Sequence, residues 1–227
     1  MLKKVFISLR EKKDNWLGFS EGEQLESKLA TELKKIGFTH LNKKDLAKEE
    51  KTKWQELKER VKSNELIINN FPNWTKNSFV YLPYGTQNYP DFLIFTSKYI
   101  IPLEVKTSTK GGIKPMWNSH LPRANGLYVF ASFGKRDITF FHGADVIDPQ
   151  LSKQLIGFFE KEREIKQFEK KFIKNLPKSE RGWKVYIRIV YDQVKSLLSP
   201  QGELNYFQHP RRKECEDKVL EWLEDKE

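Results

Sequence analysis

One stretch of the chain decides its architecture: Pro90-Asp-Phe-Leu-Ile-Phe-Thr-Ser-Lys-Tyr-Ile-Ile-Pro-Leu-Glu-Val-Lys106. Residues 91–95 and 99–105 are largely apolar, β-branched or aromatic, and the three residues between them favour a turn. This pattern predicts two antiparallel strands joined by a tight connection. Because several such runs in the chain are apolar at every position, we expect helices to cover both faces of the sheet.

The register of this hairpin determines which polar side chains meet. A connection centred on Ser97–Lys98 sets three opposed pairs: Phe95 with Ile100, Leu93 with Pro102, and Asp91 with Glu104. Opposed residues have Cβ atoms about 4.5–5.5 Å apart on one face, and Lys106 shares that face by alternation. The opposite face receives only apolar residues: Phe92, Ile94, Ile101, Leu103 and Val105. The sequence therefore predicts two carboxylates and an ammonium group at one sheet end, although a slip of one residue would separate them.

The tripeptide Glu104-Val-Lys106 is informative because of its position. Glu-x-Lys also begins at Glu26 and Glu164, among other places, within charged, helix-like or terminal stretches. The copy at 104–106 instead ends an apolar run, and Pro90-Asp91 occurs once in the chain and opens the preceding strand. These positions favour a site over a solvated surface.

The chemistry of the three side chains indicates a metal-dependent hydrolytic site. Two adjacent carboxylates repel unless a cation bridges them, and hard oxygen ligands suit Mg²⁺. The carbonyl of Val105 is a further candidate metal ligand beside Asp91 and Glu104. Lys106 could orient or deprotonate a water, or stabilise charge on a phosphate. The alternative is an exposed ion-pair network worth at most about 1 kcal/mol.

At these residues the chain resembles the PD-(D/E)xK nuclease superfamily, and its surroundings are similar to type II restriction endonucleases. Gly85-Thr-Gln-Asn-Tyr-Pro-Asp91 is similar to their Gln-containing lead-in, and Gly22-x-x-Leu25-Glu26 to their Gly-x-x-aromatic-Glu helix, with Glu23 as a rival for Glu26. The resemblance covers roughly residues 20–132. It implies a restriction-endonuclease-like α/β core, a central mixed β-sheet flanked by helices, Mg²⁺ as cofactor and DNA as substrate. It also implies Asp91, Glu104, Lys106 and Glu26 as catalytic residues.

The rest of the chain predicts one domain over 1–227, with a nuclease core at 20–142 and a helical C-terminal part at 143–227 that includes one strand. Helices are predicted from a capping box at Ser20 to Gly37, and over 44–63, 150–174 and 211–225. Further strands are predicted at 66–69, 79–82, 126–131, 138–141 and 184–190. The C-terminal part is a candidate region for dimer or DNA contacts.

Composition sets the broad class. The net charge of +10 favours a nucleic-acid partner or, alternatively, a lysine-rich solvated surface. One cysteine, Cys215, excludes a disulfide framework and a multi-cysteine zinc site and is typical of a cytoplasmic protein. The longest apolar run is too short for a membrane span, so no membrane partner is expected.

The segment after the core strand, 106–123, mixes cations, amides, hydroxyls, glycines and an aromatic. A loop here would lie against the scissile DNA, with Lys110, Lys114 and Arg123 on phosphates and Asn118 and Ser119 on base edges. Trp117 could stack on a base or pack into the protein; the alternative is an ordinary surface loop with Met116 and Trp117 turned inward. Gln87 could contact DNA, order the site or serve as a turn residue.

Together these features predict a Mg²⁺-dependent type II restriction endonuclease. It would cut double-stranded DNA at a specific sequence as a homodimer, with one active site in each chain. A cognate DNA methyltransferase encoded nearby is an expected partner. The alternatives are a structure-selective or repair nuclease resembling a junction resolvase, a non-catalytic basic DNA-binding protein, and an RNA or single-strand nuclease.

Overall fold

A computed structural model describes residues 1–18, 25–86, 88–118, 121–147, 150, 164–165, 167–175, 190–191, 193 and 204–226. The described chain is an α/β structure with a mixed central sheet flanked by helices. The helices are α1 (Leu2–Glu11), α2 (Lys13–Leu17), α3 (Leu25–Lys35), α4 (Lys43–Glu49), α5 (Lys51–Arg60) and α6 (Arg212–Lys226). The strands are β1 (Thr39–His40), β2 (Ile67–Ile68), β3 (Ser78–Tyr81), β4 (Phe92–Phe95), β5 (Tyr99–Ser108), β6 (Trp117–Asn118), β7 (Leu127–Ser132), β8 (Asp137–His142) and β9 (Val190–Tyr191).

Seven of the described strands form the central sheet in the order β1-β3-β4-β5-β7-β8, with β2 beside β5. The pairs β1–β3 and β5–β7 are parallel and the others antiparallel. In a separate small sheet, β6 pairs with β9. The predicted mixed sheet with flanking helices is therefore confirmed at this level.

The predicted hairpin register is also confirmed. Phe95 pairs with Ile100, Leu93 with Pro102 and Phe92 with Leu103. Strand β4 begins at Phe92, so Asp91 lies one residue before it, at the end of the sheet. Strand β5 continues to Ser108 because its last residues pair with β7. The site residues on β5 are thus supported from the β7 side after β4 has ended.

Helices cover the two faces of the sheet unequally. On one face, α1, α2, α3 and α6 pack on the apolar residues predicted for that face. Helices α4 and α5 cover part of the other face through Leu46, Trp54 and Leu57. The helices α1 and α2 precede the predicted core at 20–142, yet Leu2, Phe6, Leu9 and Trp16 are buried in the same cluster as the sheet. The hydrophobic layer thus includes residues from both chain termini.

Several predicted boundaries can be compared with the structure. Helix α3 ends as the sequence indicates, with Gly37 at φ +96° and the Phe38 N–H bonded to the Leu33 carbonyl at 3.0 Å. The helix predicted over 44–63 is two helices, since Glu50 leaves the helical conformation (φ −124°, ψ 46°).

The predictions for the C-terminal part are covered incompletely. Residues 164–165 and 167–174 are helical. The capping box at Ser20, residues 151–163 of the helix predicted at 150–174 and nearly all of the strand at 184–190 lie outside the described residues. The last predicted helix is present as α6, and no helix among the described residues combines the length and apolarity that crossing a membrane requires.

Candidate active site

The centre of the site is a reciprocal pair of contacts between the two carboxylates and the backbone. The Asp91 N–H donates to Glu104 Oε2 at 3.1 Å. In return the Val105 N–H donates to Asp91 Oδ2 at 2.8 Å. Because β4 has ended at Phe92, the Asp91 side chain takes the place of the next backbone acceptor along β5. The sheet end itself therefore holds the two carboxylates against each other.

The backbone N–H and carbonyl of Val105 face the two carboxylates of Asp91 and Glu104. The N–H and C=O of a strand residue point to the same edge. Since the Val105 N–H is bonded to Asp91, its carbonyl is directed toward the Asp91 side of β5 as well. The position predicted for this carbonyl, in the plane of the sheet beside the carboxylates, agrees with that geometry.

Lys106 completes the predicted trio. Its Nζ donates to Glu104 Oε1 at 2.7 Å, and the side chains are only 15% and 7% exposed. The ammonium group also lies over the indole ring of Trp117, 5.9 Å from its centroid. The pair is thus largely buried rather than part of the exposed network considered as the alternative, and a buried pair must be held in good geometry to repay its desolvation.

Glu26 reaches the same group of charges from α3. It lies in the first turn of that helix, which Leu25, Leu29 and Leu33 anchor in the core. Burial raises the pKa of Glu26, and the negative charge of Glu104 raises it further. The structure therefore brings Glu26 toward the trio. Its rival, Glu23, lies outside the described residues.

Asp91 has a strongly perturbed pKa. Burial, followed by the charge of Glu104, raises the pKa of Asp91 to about 7, against which the Val105 N–H and Lys106 act. Its other oxygen, Oδ1, accepts no hydrogen bond from the described residues. A crowded carboxylate with an available oxygen is the electrostatic arrangement that a bound cation relieves.

Three tyrosines next to this group were not predicted from the sequence. Tyr81, on β3, has its pKa raised by burial and by the charges of Glu26 and Asp91. Tyr89 and Tyr128 stack with ring centroids 6.1 Å apart, and Tyr128 is the residue of β7 that pairs with Glu104. Burial, aided by the charge of Glu104, raises the pKa of both tyrosines. The available sequence signal was the hydroxyl of Tyr128 inside the apolar strand 127–131, because a buried tyrosine usually has a polar partner.

The predicted DNA-contact residues have different surroundings. Lys110 is exposed, whereas the Lys114 Nζ donates to the Gln193 carbonyl at 2.8 Å. Arg123 is half-buried, and its backbone N–H donates to the Tyr128 hydroxyl at 2.7 Å. Asn118 lies on the short strand β6. Ser119 and Gln87 lie outside the described residues.

Of the two alternatives for Trp117, the structure adopts packing. The side chain is 1% exposed, lies edge-on to Tyr128 at 5.4 Å, and donates from Nε1 to Gln193 Oε1 at 3.0 Å. It has no free face for a base to stack on. Met116, which was paired with Trp117 in the surface-loop alternative, is instead 60% exposed.

Cys215 is not set up as a nucleophile. Burial and the nearby charge of Asp145 raise the pKa of its thiol to about 11, so the reactive thiolate is scarce at neutral pH. The described His, Cys, Asp and Glu residues also contain no group of three that could hold a metal ion.

Comparison with known proteins adds no relative to this description. No family model, curated protein or solved structure matches the chain.

Proposed function

We propose that this protein is a Mg²⁺-dependent endonuclease of the PD-(D/E)xK type that hydrolyses double-stranded DNA. Within that class, we propose a type II restriction endonuclease that cuts at a specific sequence. The observation that supports it is the interlocked group at the sheet end. There Glu104 accepts the backbone N–H of Asp91, and Asp91 accepts the backbone N–H of Val105, the residue after Glu104. The ammonium group of Lys106 donates to Glu104. The same group contains Glu26 within electrostatic range.

The donor set fits a hard divalent cation. Asp91 offers Oδ1, which accepts no hydrogen bond from the described residues, Glu104 adds a second carboxylate beside it, and the Val105 carbonyl faces them. Magnesium is usually bound through one or two carboxylates and keeps several waters, so a third acidic side chain is not required. When bound, the metal would supply a water of lowered pKa and offset negative charge on the phosphate.

The residues of the chain divide the remaining work. Asp91, Glu104 and the Val105 carbonyl would hold the cation. Lys106, in contact with Glu104, would orient the attacking water or stabilise the charge of the phosphorane-like transition state. Glu26 approaches from α3, and its pKa, raised chiefly by burial, suits a group that takes part in proton exchange.

Substrate and assembly are part of the same proposal. The chain carries a net charge of +10, which suits a polyanionic substrate. One site per chain would require two copies to cut both strands of a duplex, and a symmetric dimer would recognise a palindrome. A cognate methyltransferase is then the expected companion in the cell.

The decisive experiment is cleavage of unmethylated phage DNA by the purified protein with Mg²⁺, followed by mapping of the DNA ends. We expect discrete fragments with a common end sequence, and no cutting in EDTA or with Asp91→Ala. Smeared products or cutting restricted to branched DNA would instead favour the repair or junction nuclease. Salt-dependent binding without any Mg²⁺-dependent nicking would favour the non-catalytic DNA-binding protein, and activity on RNA or single strands alone would favour the remaining alternative.

A further inference from the structure

Gln193 connects the C-terminal part of the chain to the candidate active site. Its side-chain oxygen, Oε1, accepts the indole N–H of Trp117 at 3.0 Å and the hydroxyl of Tyr206 at 2.5 Å. Its backbone carbonyl accepts the ammonium group of Lys114 at 2.8 Å. Donors from two separate segments, 114–117 and 206, therefore converge on a single residue.

The indole held by Gln193 is the ring that contacts Lys106. Trp117 lies with its ring 5.9 Å from the Lys106 Nζ, within the range of a cation–π interaction. Tyr128 contacts the same indole edge-on, with ring centroids 5.4 Å apart. The ring is thus fixed by Tyr128 packing and by the hydrogen bond to Gln193. Strand β6 pairs with β9, with Trp117 opposite Tyr191, and this pairing places Gln193, two residues after β9, beside Trp117.

We propose that Gln193 is a positioning residue for Lys106 and acts through the Trp117 indole. The inference rests on the proposed function for its catalytic consequence, but not for the contact itself. Lys106 is a flexible side chain with two fixed neighbours in this arrangement, the Glu104 carboxylate and the Trp117 ring. If the indole turned away, Lys106 would lose one of those neighbours, and its ammonium group would be less firmly held beside Glu104.

Three single variants and one double variant test each contact between Gln193, Trp117 and Lys106 separately. Gln193→Leu removes the acceptor, and Trp117→Phe keeps an aromatic ring but removes the N–H. Tyr206→Phe removes the other donor to the same oxygen and leaves the Trp117–Gln193 bond in place, so it is the matched control. The double variant Trp117→Phe/Gln193→Leu tests whether the two residues act as one unit.

The first readout does not depend on activity. Lysines are acetylated with limiting acetic anhydride, and the modification of Lys106 is measured by peptide mass spectrometry relative to exposed Lys110. We expect Gln193→Leu and Trp117→Phe each to raise the Lys106 rate severalfold, with Tyr206→Phe close to wild type. The double variant should be no faster than the singles, because removing either partner already breaks the same bond.

The second readout is cleavage kinetics. We expect Gln193→Leu to lower kcat about tenfold or more with little change in KM, since a misplaced catalytic group affects the chemical step. Unchanged Lys106 acetylation in folded Gln193→Leu, or additive effects in the double variant, would overturn the inference. If Gln193→Leu does not fold, Trp117→Phe alone carries the same test. A protein with the acetylation pattern but no nuclease activity would retain the contact and refute the proposed function.

Discussion

At the scale of single residues, the charged groups of the site oppose folding. Asp91 is a partly buried carboxylate next to Glu104, and its raised pKa reflects the free energy required to keep it ionised there. Residues that work against folding in this way are common at functional sites, where geometry needed for chemistry is kept at the expense of stability. This gives the acid a signature that does not require an activity assay.

We expect Asp91→Asn to stabilise the protein in EDTA above neutral pH. The folded pKa of about 7 lies above the ordinary value of 3.8. The folded state therefore binds the proton more tightly, so wild-type stability falls as pH rises from about 4 and levels off above about 7. The gain for the variant should approach about 4 kcal/mol at most at pH 8 and vanish near pH 4.

Urea unfolding at several pH values measures this difference. Asp225→Asn, at an exposed aspartate of α6, is the control and should show no comparable pH-dependent gain. An Asp91→Asn variant that is equally destabilised at pH 5 and pH 8 would contradict the assignment of Asp91 as an acid with a raised pKa in the folded protein.

Lys106→Met should abolish most of the cleavage activity while leaving DNA binding nearly intact. Methionine retains the apolar stem but removes the ammonium group, and we expect at least about 100-fold lower kcat because a general acid–base or electrostatic contact is lost. Cleavage rates and gel-shift affinities are compared with those of Lys98→Met. Lys98 is exposed at the opposite end of the same hairpin, so that variant should keep full activity. Equal loss in both variants would argue against a specific role for Lys106.

At the scale of elements, the sheet end is built from segments distant in sequence. Strand β5 presents Glu104 and Lys106, the residue before β4 presents Asp91, and α3 presents Glu26. Helix α6 packs on the same face of the sheet as α3. Its residue Arg212 donates two hydrogen bonds to Asp137 on β8, with N···O distances of 2.9 and 3.0 Å. That same guanidinium donates to Glu216 at 2.9 Å, and Glu216 is only 3% exposed.

Arg212→Met should lower the free energy of unfolding by about 3 kcal/mol, because it leaves the buried Glu216 carboxylate without its ionic partner. The adjacent Arg211→Met is the matched control. Arg211 pairs with Glu214 at the surface, where solvent screens the interaction, so its loss should destabilise the protein far less than the loss of Arg212. Urea denaturation compares the two, and similar losses would show that α6 is not held through Arg212.

At the scale of the whole molecule, charge and assembly become measurable. Phosphate contacts supply much of the affinity for DNA, and their number sets the dependence of binding on salt. We expect Asp91→Ala to bind duplex DNA at least as tightly as wild type in Ca²⁺ or EDTA, with log K falling linearly against log salt. Fluorescence anisotropy at 50–200 mM salt, roughly the range over which such contacts weaken most, measures the slope. Loss of binding in folded Asp91→Ala would contradict the view that affinity lies outside the catalytic group.

The exposed apolar side chains of the segment 164–175 are the clearest candidates for a dimer contact. Ile165, Phe168 and Phe172 are 43%, 68% and 49% exposed and follow helical spacing. The C-terminal part was predicted as a region for dimer or DNA contacts, and Phe168 and Phe172 lie exposed rather than in the core. We expect wild type to sediment as a dimer and Phe168→Asp/Phe172→Asp as a monomer that nicks rather than cuts plasmid DNA. A wild-type monomer would remove the dimer from the proposal.

The sequence was sufficient for the hairpin and for the trio that it carries. A strand has a side-chain period of two, and a short connection leaves few registers, so Asp91, Glu104 and Lys106 follow from local spacing alone. The end of α3 was predictable for a similar reason, since a glycine there accepts a left-handed conformation. The break at Glu50 was not predictable, because a charged helix-forming sequence gives no local reason to stop.

Tertiary structure alone decided what surrounds the trio. The sequence left Trp117 either stacking on a base or packing, and only the pairing of β6 with β9 buries it against Tyr128 and Gln193. It also gave no indication that helices from both chain termini would share one hydrophobic layer with the sheet. The physical reason is range: periodicity reports on neighbours a few residues apart, whereas burial, perturbed pKa values and shared hydrogen bonds arise only when distant segments exclude water from the same place.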